Sequence, residues 1–295
     1  MIVCCGEALV DVLPGDRVVP GGGPMNAAVA AARLGPPTAF VGRVSTDAHG
    51  DRIWAHLRAS GVILDAAQRG PEPTARAVVE LKPGPVFRFE GEGTADASMT
   101  SVDLSPLGPG PHLLHGGTLG IFRGSTAAVL ADLVEGHQGL VSFDPNVRPQ
   151  IITDRAAWLG YARRWLARAD VVKASDEDLE WMEVTAGELV AAPDRPGPAV
   201  VLRTLGADGV EAFLAGGGYQ RVASPPVDVV DAVGAGDAFC GAVLTELWER
   251  GVLSRPALDA LTADHWASIL AFATRVASIT VGRLGADPPR RSELD

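Results

Sequence analysis

Lysine is nearly missing from this 295-residue chain: only Lys82 and Lys173 occur, and the formal net charge is −11. A balance that acidic argues against nucleic acid or an anionic membrane surface as the main partner. Any phosphate site must therefore be built locally, from backbone amides, a metal or a few arginines. Cysteine is scarce too. Cys4, Cys5 and Cys240 show no metal-ligand spacing. Neighbours in a strand point to opposite faces, which excludes a Cys4–Cys5 bridge, so all three read as reduced core residues. No charged segment followed by an apolar one opens the chain, and no apolar run reaches membrane-spanning length, so a cytoplasmic location without membrane contact is expected. No Gly-x-Gly-x-x-Gly turn follows the first apolar run, which excludes a Rossmann dinucleotide enzyme. Internal repeats and low-complexity linkers are also missing.

What is present is ordinary globular material, 47% hydrophobic and 21% charged. The length suits one large α/β domain or two ordinary ones. Short β-rich runs at residues 2–5, 39–44, 113–115, 140–144, 171–173 and 199–203 alternate with longer Ala/Leu-rich stretches. The latter, at 25–34, 50–60, 125–135, 154–169, 176–184, 237–250 and 264–279, predict helices. Such alternation implies βαβ units and a mostly parallel sheet covered on both faces. Residues 209–214 and 219–222 read as an antiparallel addition around a glycine turn. Residues 74–81 and 86–90 break the alternation and read as a hairpin about Lys82-Pro-Gly-Pro85.

The most informative stretch is Asp231-Ala-Val-Gly-Ala-Gly-Asp237, which runs into an apolar helix. Gly234, Ala235 and Gly236 let backbone N–H groups converge at a helix start, where unpaired donors and the dipole attract phosphate. Asp237 follows at once. An anion cradle beside a fixed base can move a phosphoryl group onto a hydroxyl, although a first-turn acid favoured by the dipole would look the same. About 200 residues upstream stands a second glycine turn, Gly21-Gly-Gly-Pro-Met-Asn26, leading into an alanine-rich helix.

Together with Gly6-Glu-Ala-Leu-Val-Asp11, Asp144-Pro-Asn-Val-Arg148 and Leu205-Gly-Ala-Asp-Gly209, these two signatures resemble the PfkB (ribokinase-like) family of sugar and nucleoside kinases. The resemblance runs essentially end to end. It implies a single domain over residues 1–295: an α/β three-layer sandwich with a mostly parallel central sheet. A small inserted β-sheet forms a lid from roughly residues 11–20 and 72–98. It further implies ATP and Mg2+ as cofactors and Asp237 as the base, with Gly234, Ala235 and Gly236 as the anion hole. Asp11, Gly22, Gly23 and Asn26 would hold the acceptor sugar, a polyol suited to carboxylate and amide partners, although helix-start chemistry also accounts for Asn26 and the glycines. Arg148 could bind phosphate or a substrate carboxylate. Arg76 or Arg88 would reach over the sugar from the lid, unless both simply occupy solvated strand faces. Ser175 and Asp178 stand where the family has Asn-x-x-Glu, which organises magnesium through water; Ser175 as a helix cap is the rival reading. Thr204, Gly206, Gly209 and Thr274 would line the nucleotide. Asp231 and Val233, with Thr280, Arg283 and Gly285, would form a site for a monovalent cation such as K+, with a plain loop carboxylate as the alternative for Asp231. Ala232, Val233, Ser45 and Asp178 depart from the family pattern.

The expected function is thus ATP-dependent phosphorylation of a small sugar. Gly6-Glu-Ala-Leu-Val-Asp11, Phe89-Glu-Gly-Glu-Gly-Thr-Ala-Asp96 and Gly285-Ala-Asp-Pro-Pro289 resemble fructokinases most. A 2-keto-3-deoxygluconate kinase or another sugar or nucleoside kinase is the alternative within the class. A catalytically weak sugar- or nucleotide-binding regulator is the alternative outside it. The lid is also the expected meeting surface of a homodimer.

Overall fold

The computed structural model describes residues 1–13, 15, 17–82, 84–192 and 196–294; side chains at 79–87 lie outside the description. In chain order the strands are β1 (Ile2–Cys5), β2 (Leu9–Leu13), β3 (Arg17–Gly21), β4 (Thr38–Val41), β5 (Arg43–Ser45), β6 (Gln68–Gly70) and β7 (Arg76–Lys82). There follow β8 (Gly84–Glu90), β9 (Leu113–Gly117), β10 (Val141–Asp144), β11 (Val171–Ser175), β12 (Val200–Thr204), β13 (Val210–Leu214) and β14 (Tyr219–Val222). The helices are α1 (Gly23–Leu34), α2 (Ala48–Ala59), α3 (Gly124–Gly136), α4 (Arg155–Leu166), α5 (Asp176–Met182), α6 (Ala186–Leu189), α7 (Ala235–Glu249), α8 (Arg255–Asp259) and α9 (Ala263–Val281).

Eight strands form the main sheet in the order β14-β13-β12-β11-β10-β9-β1-β4. The six from β12 to β4 are parallel, and β13 and β14 add on antiparallel. The period of two along each strand separates two cores. Ile2 and Cys4 face the layer holding α1, α7 and α9, while Val3 and Cys5 face the layer holding α3 and α4. Both faces are thus buried, as the mostly apolar strands require.

One interface brings the two glycine signatures together. The middle of α1 is a buried run of small residues, Ala27, Ala28, Val29, Ala30 and Ala31, and it meets Gly241 of α7. A Cβ at Gly241 would lie 2.7 Å from the Ala27 carbonyl oxygen. Small side chains on both helices let the backbones approach closely, and so align their N-termini on one side of the sheet.

Over that side lies a second sheet, in the order β3-β2-β7-β8. Val10, Val12 and Val78 on one of its faces join the core around Ile53 and Leu57 of α2. Leu9, Ala77 and Phe89 on the other face cluster with Leu119. Residues 14 and 16 of the expected lid, residue 83 of its expected turn and residues 193–195 of a proline-rich loop lie outside the described residues.

Two sequence readings need correction. The run at 39–44 is two strands, β4 and β5, broken at Gly42, where a Cβ would sit 2.5 Å from the Gly6 carbonyl oxygen. Close backbone crossing diverts the chain there. The helix after the second signature starts two residues early, at Ala235, which puts Asp237 inside the first turn.

Candidate active site

The glycine turn at the start of α1 and the helix start of α7 meet through a direct hydrogen bond. The Asn26 side-chain amide donates to Asp237 Oδ2 at 2.8 Å, across 211 residues of sequence. Gly22 has φ 120°, and a Cβ there would lie 2.7 Å from the Glu7 carbonyl oxygen, so the turn accepts no side chain. A Cβ on Gly23 would meet Thr118 Oγ1 at 2.5 Å, Asn146 Nδ2 at 3.3 Å and Asp237 Oδ1 at 3.4 Å. Thr118 and Asn146 are both held at positive φ and bond to each other at 3.1 Å, closing the wall beside this turn. Gly234 caps α7 in the left-handed region with φ 76°. Asp237 is half-buried, and burial raises its carboxyl above the ordinary value against the opposing pull of Asn26, Lys173 and Arg148.

Asp11, on β2, lies in the same electrostatic neighbourhood. Burial, then the charges of Asp237 and Asp231, push its carboxyl up to about 6, and Arg148 opposes them. Arg148 is exposed, and its guanidinium also donates to the Asn146 and Val147 carbonyls. Arg88 is placed elsewhere. Pairing puts Asp11, Ala77 and Phe89 on one face of the lid and Val12, Val78 and Arg88 on the other. Arg88 forms an ion pair with Glu90 at 2.6 Å, and Arg76 pairs with the same carboxylate at 3.1 Å. Arg88 thus lies on the opposite face of this sheet from Asp11.

Ser175 caps α5 and forms a capping box with Asp178. Asp178 accepts from the Ser175 N–H and hydroxyl at 2.8 and 2.7 Å, and from the Val147 N–H at 2.7 Å. The carboxylate thus stitches β11 to the 144–148 loop. Among the described residues no cluster of three His, Cys, Asp or Glu side chains is placed to hold a metal. The donor set fits a hard cation that arrives already bound to phosphate oxygens and water, rather than an all-protein cage.

Thr204 ends β12, and Gly206 and Gly209 shape the next turn, closed by the Leu205 N–H donating to the Gly209 carbonyl at 2.8 Å. Thr274 is buried on α9, its hydroxyl donating to the Leu270 carbonyl at 2.9 Å. Asp231 bridges two segments, accepting from the Val233 N–H at 3.0 Å and the Gly285 N–H at 2.9 Å. The Arg283 N–H donates to the Thr280 carbonyl at 3.0 Å. Asp231, Val233, Thr280, Arg283 and Gly285 are thereby drawn to one corner beside the start of α7.

Two buried groups escaped the sequence reading. Glu7, fully buried, accepts from the Gly23 N–H and the Gly120 N–H, each at 3.0 Å, and so fixes the glycine turn. Lys173 lies beneath α7 and donates to Asp144 Oδ2 at 3.0 Å. A lysine inside the short, mostly apolar run Val171–Ser175 was the available signal.

A helix start with an acid in its first turn, hydrogen-bonded to a polar glycine turn, is an arrangement suited to passing a phosphoryl group to a small molecule. The comparisons give the family. The model of the pfkB family of carbohydrate kinases matches residues 9–293, and the chain belongs to that family. It is 36% identical over 274 residues to the fructokinase of Rhizobium leguminosarum bv. trifolii, spanning 86% of this chain and 82% of that one. The crystal structure of fructokinase with bound ATP from Xylella fastidiosa superposes with a TM-score of 0.86 at 27% identity, covering 97% of this chain and 93% of that one. Fructokinase from Vibrio cholerae O395, in a fructose-, ADP- and calcium-bound form, gives a TM-score of 0.78 at 25% identity over 97% and 94% of the two chains. The chain is an ATP-dependent sugar kinase with the ribokinase-like fold. Among the described residues no helix is long and apolar enough to cross a membrane.

Proposed function

We propose that the chain transfers the γ-phosphoryl group of ATP to a hydroxyl of fructose. The observation that carries the reading is the Asn26–Asp237 hydrogen bond, which joins the acceptor turn to the helix start. Asp11, Asn26 and the amides of Gly22 and Gly23 hold the sugar hydroxyls. Asp237 takes the proton of the attacking hydroxyl as the O–P bond forms, and its placement matters more than its basicity. The N–H groups of Gly234, Ala235 and Gly236 face the transferred oxygens. Mg2+, carried in on the nucleotide, neutralises phosphate charge. K+ occupies the corner formed by the Asp231 carboxylate and the carbonyls of Val233, Thr280, Arg283 and Gly285. The choice of fructose is supported by the fructokinase relatives. We also infer a homodimer through the lid, whose sheet ends at β3 and β8 with no further strand beside either among the described residues; sedimentation at micromolar concentration tests it.

Coupled ADP release over ketoses, aldoses, nucleosides and sugar acids tests the assignment. Fructose should give the highest kcat/KM. Preference for 2-keto-3-deoxygluconate would move the chain to the sugar-acid kinases, and turnover on none would favour a binding regulator.

A further inference from the structure

We propose that Lys173 is a positioning residue of this kinase: a buried cation that completes the γ-phosphoryl seat from below, acting through the first turn of α7. The inference rests on the phosphoryl-transfer reading above and extends it to a residue outside both signatures.

Lys173 stands on β11, and its ammonium comes up under the turn that supplies the backbone donors. A Cβ on Gly236 would lie 3.0 Å from Nζ, so the glycine leaves the ammonium directly beneath the amide array. The charge is fixed in place. Nζ pairs with Asp144 Oδ2 at 3.0 Å, with both side chains 7% exposed or less. Asp144 is itself anchored on its other oxygen by the Asn146 N–H at 3.1 Å, and the Cys240 thiol lies 3.7 Å from Oδ2. The pair is therefore a rigid dipole with its positive end under Gly236. Burial disfavours the ammonium, yet Asp144, Cys240 and Asp178 together outweigh it and hold the lysine above its ordinary range. Burial pushes Asp144 up to about 6. Fixed charges held in the buried interior act strongly on charge that develops beside them during reaction.

The surroundings show why such a cation matters. The charges of Asp237 and Asp231 act on Asp11 here, and Asp178 adds its charge next to Asp144. The other cation acting on Asp237 is Arg148, which is exposed. A nucleotide polyphosphate must settle among these carboxylates. Lys173 offers the buried charge that offsets them at the end where the phosphoryl group is transferred.

The test separates this role from simple structural support. K173M leaves Asp144 buried and unpaired and is expected to destabilise the fold, so the decisive variant is D144N/K173M, which replaces the ion pair by a neutral one. It should melt close to wild type and bind ADP as wild type does. It should bind a non-hydrolysable ATP analogue about tenfold more weakly, and its turnover should fall on the order of 10- to 100-fold. The acid limb of its pH profile should move upward, because Asp237 loses its buried cation. Wild-type turnover and pH profile, or an equal loss of ADP and analogue affinity, would overturn the proposal. Should the wild-type enzyme phosphorylate no sugar, the functional reading fails separately, and the analogue-to-ADP affinity ratio still decides the part played by Lys173.

Discussion

Replacing Glu7 with glutamine should stabilise the apoprotein at pH 8 while leaving its stability at pH 5 nearly unchanged. Glu7 is fully buried, and burial raises its carboxyl from an ordinary 4.5 to about 7. Its own backbone N–H and those of Gly120 and Gly23 oppose the rise, and Asp96 adds to it. Below about 4.5 the group is protonated in both folded and unfolded chains and contributes no pH dependence. Between 4.5 and about 7 the unfolded chain has released a proton that the folded chain keeps, so stability falls as pH rises. Above about 7 the loss is complete. At ~1.4 kcal/mol per decade, that interval amounts to ~3 kcal/mol. Glutamine resembles the protonated acid, offering one good acceptor to the two N–H groups of Gly23 and Gly120, and it cannot ionise. Urea unfolding of both proteins at pH 5, 6, 7 and 8 gives the difference directly, and other titrating groups common to both cancel. The difference should grow by ~3 kcal/mol in favour of Glu7→Gln as pH rises. A difference independent of pH would refute the argument that the Glu7 carboxylate is strained by burial. The same variant should raise KM for the sugar, because an N–H donor of the acceptor turn loses its anion.

Asp237→Asn should reduce turnover by about 10²–10⁴-fold through loss of the base, with ATP binding retained in calorimetry; near-normal turnover would sink the assignment. Because burial raises Asp237, the acid limb of wild-type kcat/KM should fall above the ordinary carboxylate range, as a pH–rate profile will show. Gly241→Leu puts side-chain atoms where the Ala27 carbonyl oxygen lies 2.7 Å from the Cβ position, which should cost ~3 kcal/mol in urea unfolding and lower turnover together. Asp231→Ala should abolish the difference between rates measured in K+ and in tetramethylammonium; an unchanged K+ response would remove the cation from that corner.

The features legible in the sequence are those fixed by local pattern. Apolar runs such as Ile2–Cys5 and residues 200–202 announced strands buried on both faces, and the glycine turns announced helix starts. The run of small residues in α1 and Gly241 of α7 carried more than helix propensity. They set the close approach that delivers Asn26 to Asp237, although nothing in either segment alone says which helix it will meet. Where local pattern was not enough, pairing between distant segments decided the outcome. Arg88 lies on the lid face away from Asp11 because β2 pairs with β7 in one register and not the next, and a single step would exchange the faces. Gly42 interrupts an apolar run because the backbone at Gly6 crosses it. Glu7 and Lys173 belong to the same class. Each is a buried charge, Glu7 just beyond β1 and Lys173 within β11, whose purpose depends on N–H groups or carboxylates contributed by segments remote in sequence. A lone charge in an apolar strand carries a burial cost that folding would otherwise select against. Two such charges border the helix starts of α1 and α7: Glu7 accepts from the Gly23 N–H, and Lys173 lies under Gly236.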